Sequence, residues 1–152
     1  MGKSEYVQYD LLKLMDSSNA VTIPNGYFNG NNIASFNISN NGVLKSIVIG
    51  GNCFGKVRVF ELDGLSELES VVVGKDSFRI GRYKERSDGS YRIVNCPKLK
   101  SIQIGDYSFS DYHSFELNYL PSLQSISIGD DCFYWVPSIS IIGFIQFVDF
   151  NS

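Results

Sequence analysis

The chain predicts a mainly β fold: a right-handed solenoid of about five coils of ~24 residues, with two short parallel strands per coil, behind an N-terminal helical cap. Three observations predict it. The pattern L-x-S-[IV]-x-[IV]-G-x-x-x-F occurs four times, at Leu44–Phe54, Leu68–Phe78, Leu99–Phe109 and Leu123–Phe133. Its first residues lie 24, 31 and 24 positions apart, a short period that marks a stack of like units. A second alternating segment follows at a fixed interval, six residues from Phe54 to Phe60, from Phe109 to Phe115 and from Phe133 to Ile139. Alternation with a period of two is the strand signature.

Taken in order, residues 4–17 place Val7, Leu11, Leu14 and Met15 at helical spacing, with Ser4 as a start signal and Asp16-Ser17-Ser18-Asn19 as the stop. Residues 1–19 are therefore expected to cap the solenoid, whose first coil would otherwise expose its core side chains. Residues 20–152 are the solenoid. Val21-Thr22-Ile23 stands in for the first strand and Phe28 for the repeat Phe. Second strands fall at Phe36-Asn37-Ile38, Phe60-Glu61-Leu62, Tyr91-Arg92-Ile93, Phe115-Glu116-Leu117 and Ile139-Ser140-Ile141. Gly50, Gly74, Gly105 and Gly129 end the first strands, at a bend that needs either a positive φ or a close backbone approach. Pro97 and Pro121 open coils where no ladder hydrogen bond is required of them. One coil is longer by seven residues, which places an insertion loop at 79–90. Phe144, Phe147 and Phe150 align with Leu120, Leu123 and Ile126, so a fifth coil starts and stops mid-strand. An apolar edge of that kind invites pairing, with further repeats or with a second copy.

Apolar residues at repeat positions 1, 4, 6 and 11, as in Leu99, Ile102, Ile104 and Phe109, resemble the leucine-rich repeat family. The Ser, Gly and Phe of the pattern look most like its BspA-like variety. Position 9 holds Asn52, Asp76, Tyr107 and Asp131, where the family has Asn or Cys. The resemblance implies that the side chain there bonds the backbone of the turn. It also implies a non-enzymatic protein-binding or adhesion scaffold, with the outward residues of the first strands as the contact surface. Those residues are Ser46, Val48, Ser70, Val72, Ser101, Gln103, Ser125 and Ser127, flanked by Lys45, Glu69, Lys100 and Gln124.

Composition agrees with a packed domain. The 152 residues are 43% hydrophobic and 14% aromatic, ample for one core. A net charge of −3 argues against a nucleic-acid partner, and no run of 18 apolar residues argues for membrane insertion. The first residues lack the apolar stretch of a signal peptide, which leaves the compartment undetermined: cytoplasmic for a complete chain, cell surface for a piece of a secreted protein. The three cysteines form no disulfide framework. Cys53 and Cys132 share one repeat position three coils apart, roughly 14 Å at the strand spacing of a sheet, and a disulfide needs about 7 Å or less. Cys96 aligns with Leu65 and Leu120 and reads as a small buried hydrophobe.

No catalytic constellation is expected. His113 is the only histidine and no nucleophile lies near it in its coil. Nothing spaces metal ligands, so no metal and no cofactor are expected. Stacking brings Asp106 near Asp130, as turn residues. The outward strand positions hold no acid of the kind a carbohydrate-cleaving β-helix uses. The partner that the resemblance implies is another protein. Arg82, Lys84 and Arg86 make the insertion loop a weaker binding candidate, and Phe144, Phe147 and Phe150 a self-association edge. Two alternatives stand beside this reading. One is a structural array segment joined through its ends. The other is a carbohydrate-binding module on the sheet face, with Tyr and Trp stacking on sugar rings. The aromatics Tyr107, Tyr112, Tyr134 and Trp135 lie along the corner after the repeat Phe, where the plainer role is packing between coils.

Overall fold

In the computed structural model, residues 10–30, 33–80, 88–136, 140–142 and 149–151 are described. The chain is mainly β, a parallel β-solenoid of about four turns with little helix. The first strands of successive coils are β1 (Ala20–Ile23), β3 (Ser46–Ile49), β5 (Ser70–Val73), β7 (Ser101–Ile104), β9 (Ser125–Ile128) and β11 (Asp149–Asn151). They form a six-stranded parallel sheet in that order. The second strands, β2 (Ser35–Ser39), β4 (Val59–Asp63), β6 (Ser90–Val94), β8 (Ser114–Asn118) and β10 (Ser140–Ile142), form a five-stranded parallel sheet opposite it.

Register follows the repeat. Ser46, Ser70, Ser101 and Ser125 are successive partners, as are Phe60, Tyr91 and Phe115, and Phe150 pairs with Ile126. The sheets step by 31 residues from β5 to β7 and from β4 to β6, so the extra residues lie between Phe78 and Ser90. Arg82, Lys84 and Arg86 of that loop, together with Phe144 and Phe147, lie outside the described residues.

In-register parallel strands set equal positions about 4.8 Å apart, which is also a stacking distance for rings. The repeat Phe therefore forms a column: Phe28, Phe54, Phe78, Phe109 and Phe133 stack at 5.2, 4.9, 4.6 and 5.3 Å. A second column, Phe36, Phe60, Tyr91 and Phe115, stacks at 5.0, 4.7 and 4.9 Å. The two meet edge to face, as Phe60 does with Phe109. Aliphatic residues of both sheets fill the rest of one continuous core.

The corners explain the glycines and prolines. Gly50, Gly74, Gly105 and Gly129 do not take a positive φ; the close approach decides them. A Cβ on Gly105 would sit 2.6 Å from the Lys75 nitrogen of the preceding coil. Positive φ instead falls at position 9, on Asn52, Asp76, Tyr107 and Asp131, and on the five stacked Phe residues. Pro97 and Pro121 sit second in tight turns closed by Leu99 N–H on Cys96 O and Leu123 N–H on Leu120 O.

Of the helix expected over 4–17, residues 4–9 lie outside the described residues, and residues 10–17 depart from it. The described part holds one 3₁₀ turn, Leu11–Leu14, capped by Asp10 and set against β1 and β2 with Leu11 buried. Met15 has already left the helix to bridge Val21 antiparallel. Asp16 then draws the chain into β1, its carboxylate accepting from Ser18 N–H, Ser18 Oγ–H and Ala20 N–H. Pairing with the sheet edge overrides helical spacing here. The expected stop at residues 16–19 is where the chain turns.

Candidate binding face

Each four-residue strand of the larger sheet turns its second and fourth residues inward, leaving the first and third outside. Two outward rows result. One runs Ala20, Ser46, Ser70, Ser101 and Ser125; the other runs Thr22, Val48, Val72, Gln103 and Ser127. All eight residues expected from the sequence lie here, and β1 adds Ala20 and Thr22. Exposure is uneven: Thr22, Val48 and Gln103 are exposed, while the serines and Val72 are half-buried between neighbouring strands. Beside the rows, Lys45, Glu69, Lys100 and Gln124 are linked by backbone hydrogen bonds, and Lys100 Nζ lies 3.7 Å from Glu69.

The opposite sheet carries an ionic row that the sequence reading missed. Glu61, Arg92 and Glu116 are in register, and Arg92 reaches one carboxylate on each side at 3.1 Å. Burial alone would lower the Arg92 pKa; its hydrogen bonds and charge contacts with the two glutamates outweigh this and raise it. The signal was legible as alternating charge at the centre of three aligned second strands.

Inside the corner a further ladder was missed. Position 10 holds Cys53, Ser77, Ser108 and Cys132, and each donates to the carbonyl of position 7 one coil earlier: Pro24, Gly50, Gly74 and Gly105. Ser77 and Ser108 also accept from the N–H of Cys53 and Ser77. A run of small side chains able to donate was its trace in the sequence. All three thiols are free, and Cys96 is fully buried as expected. Burial pushes the Cys96 thiol up to about 11 and the Cys132 thiol up to about 12.

The outer side of this corner is polar. Asn29 is locked by Nδ2–H bonds to Gly26 O and Asn52 O and by accepting from Gly55 N–H. Asp76 pairs with Arg79 at 3.1 Å, and the Arg79 guanidinium lies over the Tyr107 ring, 5.5 Å from its centre. With Asn52 they border a crevice of about 430 Å³. The turn bonds that the resemblance assigned to position 9 are made one residue earlier: Asn25 accepts from Gly51 N–H, and Asp106 from Asp130 N–H. Asp106 and Asp130 are thus neighbours through a backbone contact. Of the aromatics named from the sequence, Tyr107, Tyr134 and Trp135 are exposed. Tyr112 is not, since it is buried with its hydroxyl on Val57 O. Tyr27 and Tyr119, more exposed than any of these, were not singled out.

Among the described residues no three His, Cys, Asp or Glu side chains are grouped to hold a metal ion, and no helix is long and apolar enough to cross a membrane. The outward rows offer hydroxyl, amide and methyl groups, which suit contact and solvation more than proton transfer. Fold and face define a parallel β-solenoid whose larger sheet carries two in-register outward rows. Comparison with protein-family models, curated proteins and solved structures gives no match.

Proposed function

We propose that the chain is a leucine-rich-repeat scaffold, most like the BspA-like variety, of about five ~24-residue coils with an N-terminal cap. Its work is to bind another protein on the outer face of the larger sheet, without covalent chemistry. The observation that carries this reading is the pair of in-register rows, Ser46/Ser70/Ser101/Ser125 and Val48/Val72/Gln103/Ser127. A stiff parallel sheet presents them with little ordering left to lose on binding. Size limits the claim usefully. Six strands at about 4.8 Å and four residues at about 3.3 Å cover roughly 380 Å², under half of the about 800 Å² that one partner contributes to a standard interface. The footprint therefore extends over the flanking ridge of Lys45, Glu69, Lys100 and Gln124.

The test uses the whole chain as bait in affinity capture, with a double variant Gln103→Arg/Ser127→Arg and a control Asn37→Arg on the opposite sheet. Proteins held by the parent and the control, and lost by the double variant, are the expected result. Identical capture by all three baits overturns the sheet-face reading, once thermal melts show that each is folded.

A further inference from the structure

The corner crevice between Asn52, Asp76 and Arg79 has a chemistry unlike that of the sheet face. Its volume, about 430 Å³, lies in the range of small-molecule sites. Its described lining is mainly polar: two side-chain amides, one carboxylate and one guanidinium, with Gly55. An apolar ligand finds little surface there.

The site is also built in advance. Asn29 spends its bonds on the backbone of two coils, on Gly26 O, Asn52 O and Gly55 N–H, and so fixes one wall. Arg79 and Asp76 hold each other at 3.1 Å, both side chains about one-third exposed, and Arg79 is steadied over Tyr107. Asn52, Asp76 and Tyr107 occupy the same position of successive coils and all have positive φ, at 56°, 62° and 64°. Asn and Asp tolerate that region, whereas a bulky residue there is an outlier that asks for a reason. The bend shared by successive coils supplies it, since Asp131 at the same position also has positive φ.

Charge chooses the ligand. Among the described lining residues one carboxylate and one guanidinium offset each other, so an anion meets Asp76 and a metal cation meets Arg79, each at a cost. A neutral polyol meets neither penalty. Adjacent hydroxyls both donate and accept, and can bridge a carboxylate and a guanidinium side by side, with Asn52 as a further partner. We propose that this crevice is a binding site for a neutral sugar, held by Asp76, Arg79 and Asn52. It is separate from the sheet face and does not depend on the protein-binding reading.

The experiment is a titration of the ¹⁵N-labelled full chain, read by amide shifts, with methyl glucoside, methyl galactoside, methyl mannoside and N-acetylglucosamine. At least one of these is expected to move the amides of Asn52, Asp76 and Tyr107 and to saturate with a dissociation constant on the order of 1 mM. Arg79→Ala and Asp76→Asn, the latter keeping a residue that tolerates positive φ, are each expected to weaken binding about tenfold or more. Asn37→Arg, exposed on the opposite sheet, is expected to leave it unchanged. The proposal is overturned if none of the four sugars moves these amides, if the folded variants bind as the parent does, or if inorganic phosphate produces the shifts and the sugars do not.

Discussion

At the scale of single residues, the solenoid places bulky side chains in a backbone region that ordinarily rejects them. Phe28, Phe54, Phe78, Phe109 and Phe133 have φ between 51° and 61°. Such strain costs about 1–3 kcal/mol per residue, while burying a Phe side chain stabilises by about 1.5–3 kcal/mol, and ring stacking adds roughly 0.5–1.5. The fold tolerates the strain because the same turn delivers the ring into the column. Tyr91 shows the opposite balance. Its ring takes its place in the second column, between Phe60 and Phe115, but its hydroxyl is buried with no hydrogen-bond partner among the described residues. Burial pushes its phenol pKa well above the usual 10. Tyr91→Phe keeps the stack and removes the orphan hydroxyl. It is expected to raise stability by about 1 kcal/mol, read as a higher urea midpoint at unchanged slope.

At the scale of elements, the unit is a short strand ending in a bend that carries the next coil close behind it. Gly105 sits at such a bend, and any Cβ there would overlap the Gly74 and Lys75 backbone at 2.6–2.9 Å. That backbone cannot retreat without parting β5 from β7, which are joined by Gly105 N–H on Val73 O at 2.8 Å. Gly105→Ala is expected to cost about 1–3 kcal/mol. Gly30→Ala, where a Cβ meets nothing within 4 Å, is expected to change stability by less than about 0.5 kcal/mol. Chemical denaturation of the two variants side by side is the check. Equal stability would mean that the coils are free to slide apart, contrary to this packing.

At the scale of the whole molecule, one continuous apolar core has ionisable groups buried in it or packed against it. The Cys96 and Cys132 thiols are pushed up to about 11 and about 12 from an ordinary 9.0. The Tyr91 and Tyr112 phenols are raised above 10.0, again chiefly by burial. In each case the folded chain keeps its proton longer than the unfolded chain does. Between the unfolded and folded pKa values the unfolded state therefore binds fewer protons, and stability falls as pH rises. Stability is expected to be insensitive to these groups below pH about 8.5 and to drop between about 9 and 12, by on the order of 2 kcal/mol per thiol by pH 11. Denaturation midpoints across that range test it. A flat alkaline limb would mean that the thiols and phenols are already solvated in the native state.

What the sequence by itself determined is whatever repeats along the chain. The eleven-residue pattern and the second alternating segment specify two parallel sheets, the inward residues, the register, and the place of the seven extra residues between Phe78 and Ser90. Period and stacking are one fact, because an in-register parallel sheet makes sequence-equivalent residues spatial neighbours. The eight outward residues of the candidate face were legible for the same reason. What only the tertiary structure decided are contacts that depend on backbone path and on which side chains share a corner. The glycines proved to answer a close approach and Asn52 or Phe54 the positive φ, since both demands fall within five residues of one bend. Met15 left its helical spacing for the edge of β1, a long-range pairing that no local pattern encodes. The Arg92 row, the Ser77 and Ser108 ladder and the Asp76–Arg79 crevice join different coils through side chains that the repeat consensus leaves unspecified. At those positions geometry, and not period, selects the partner.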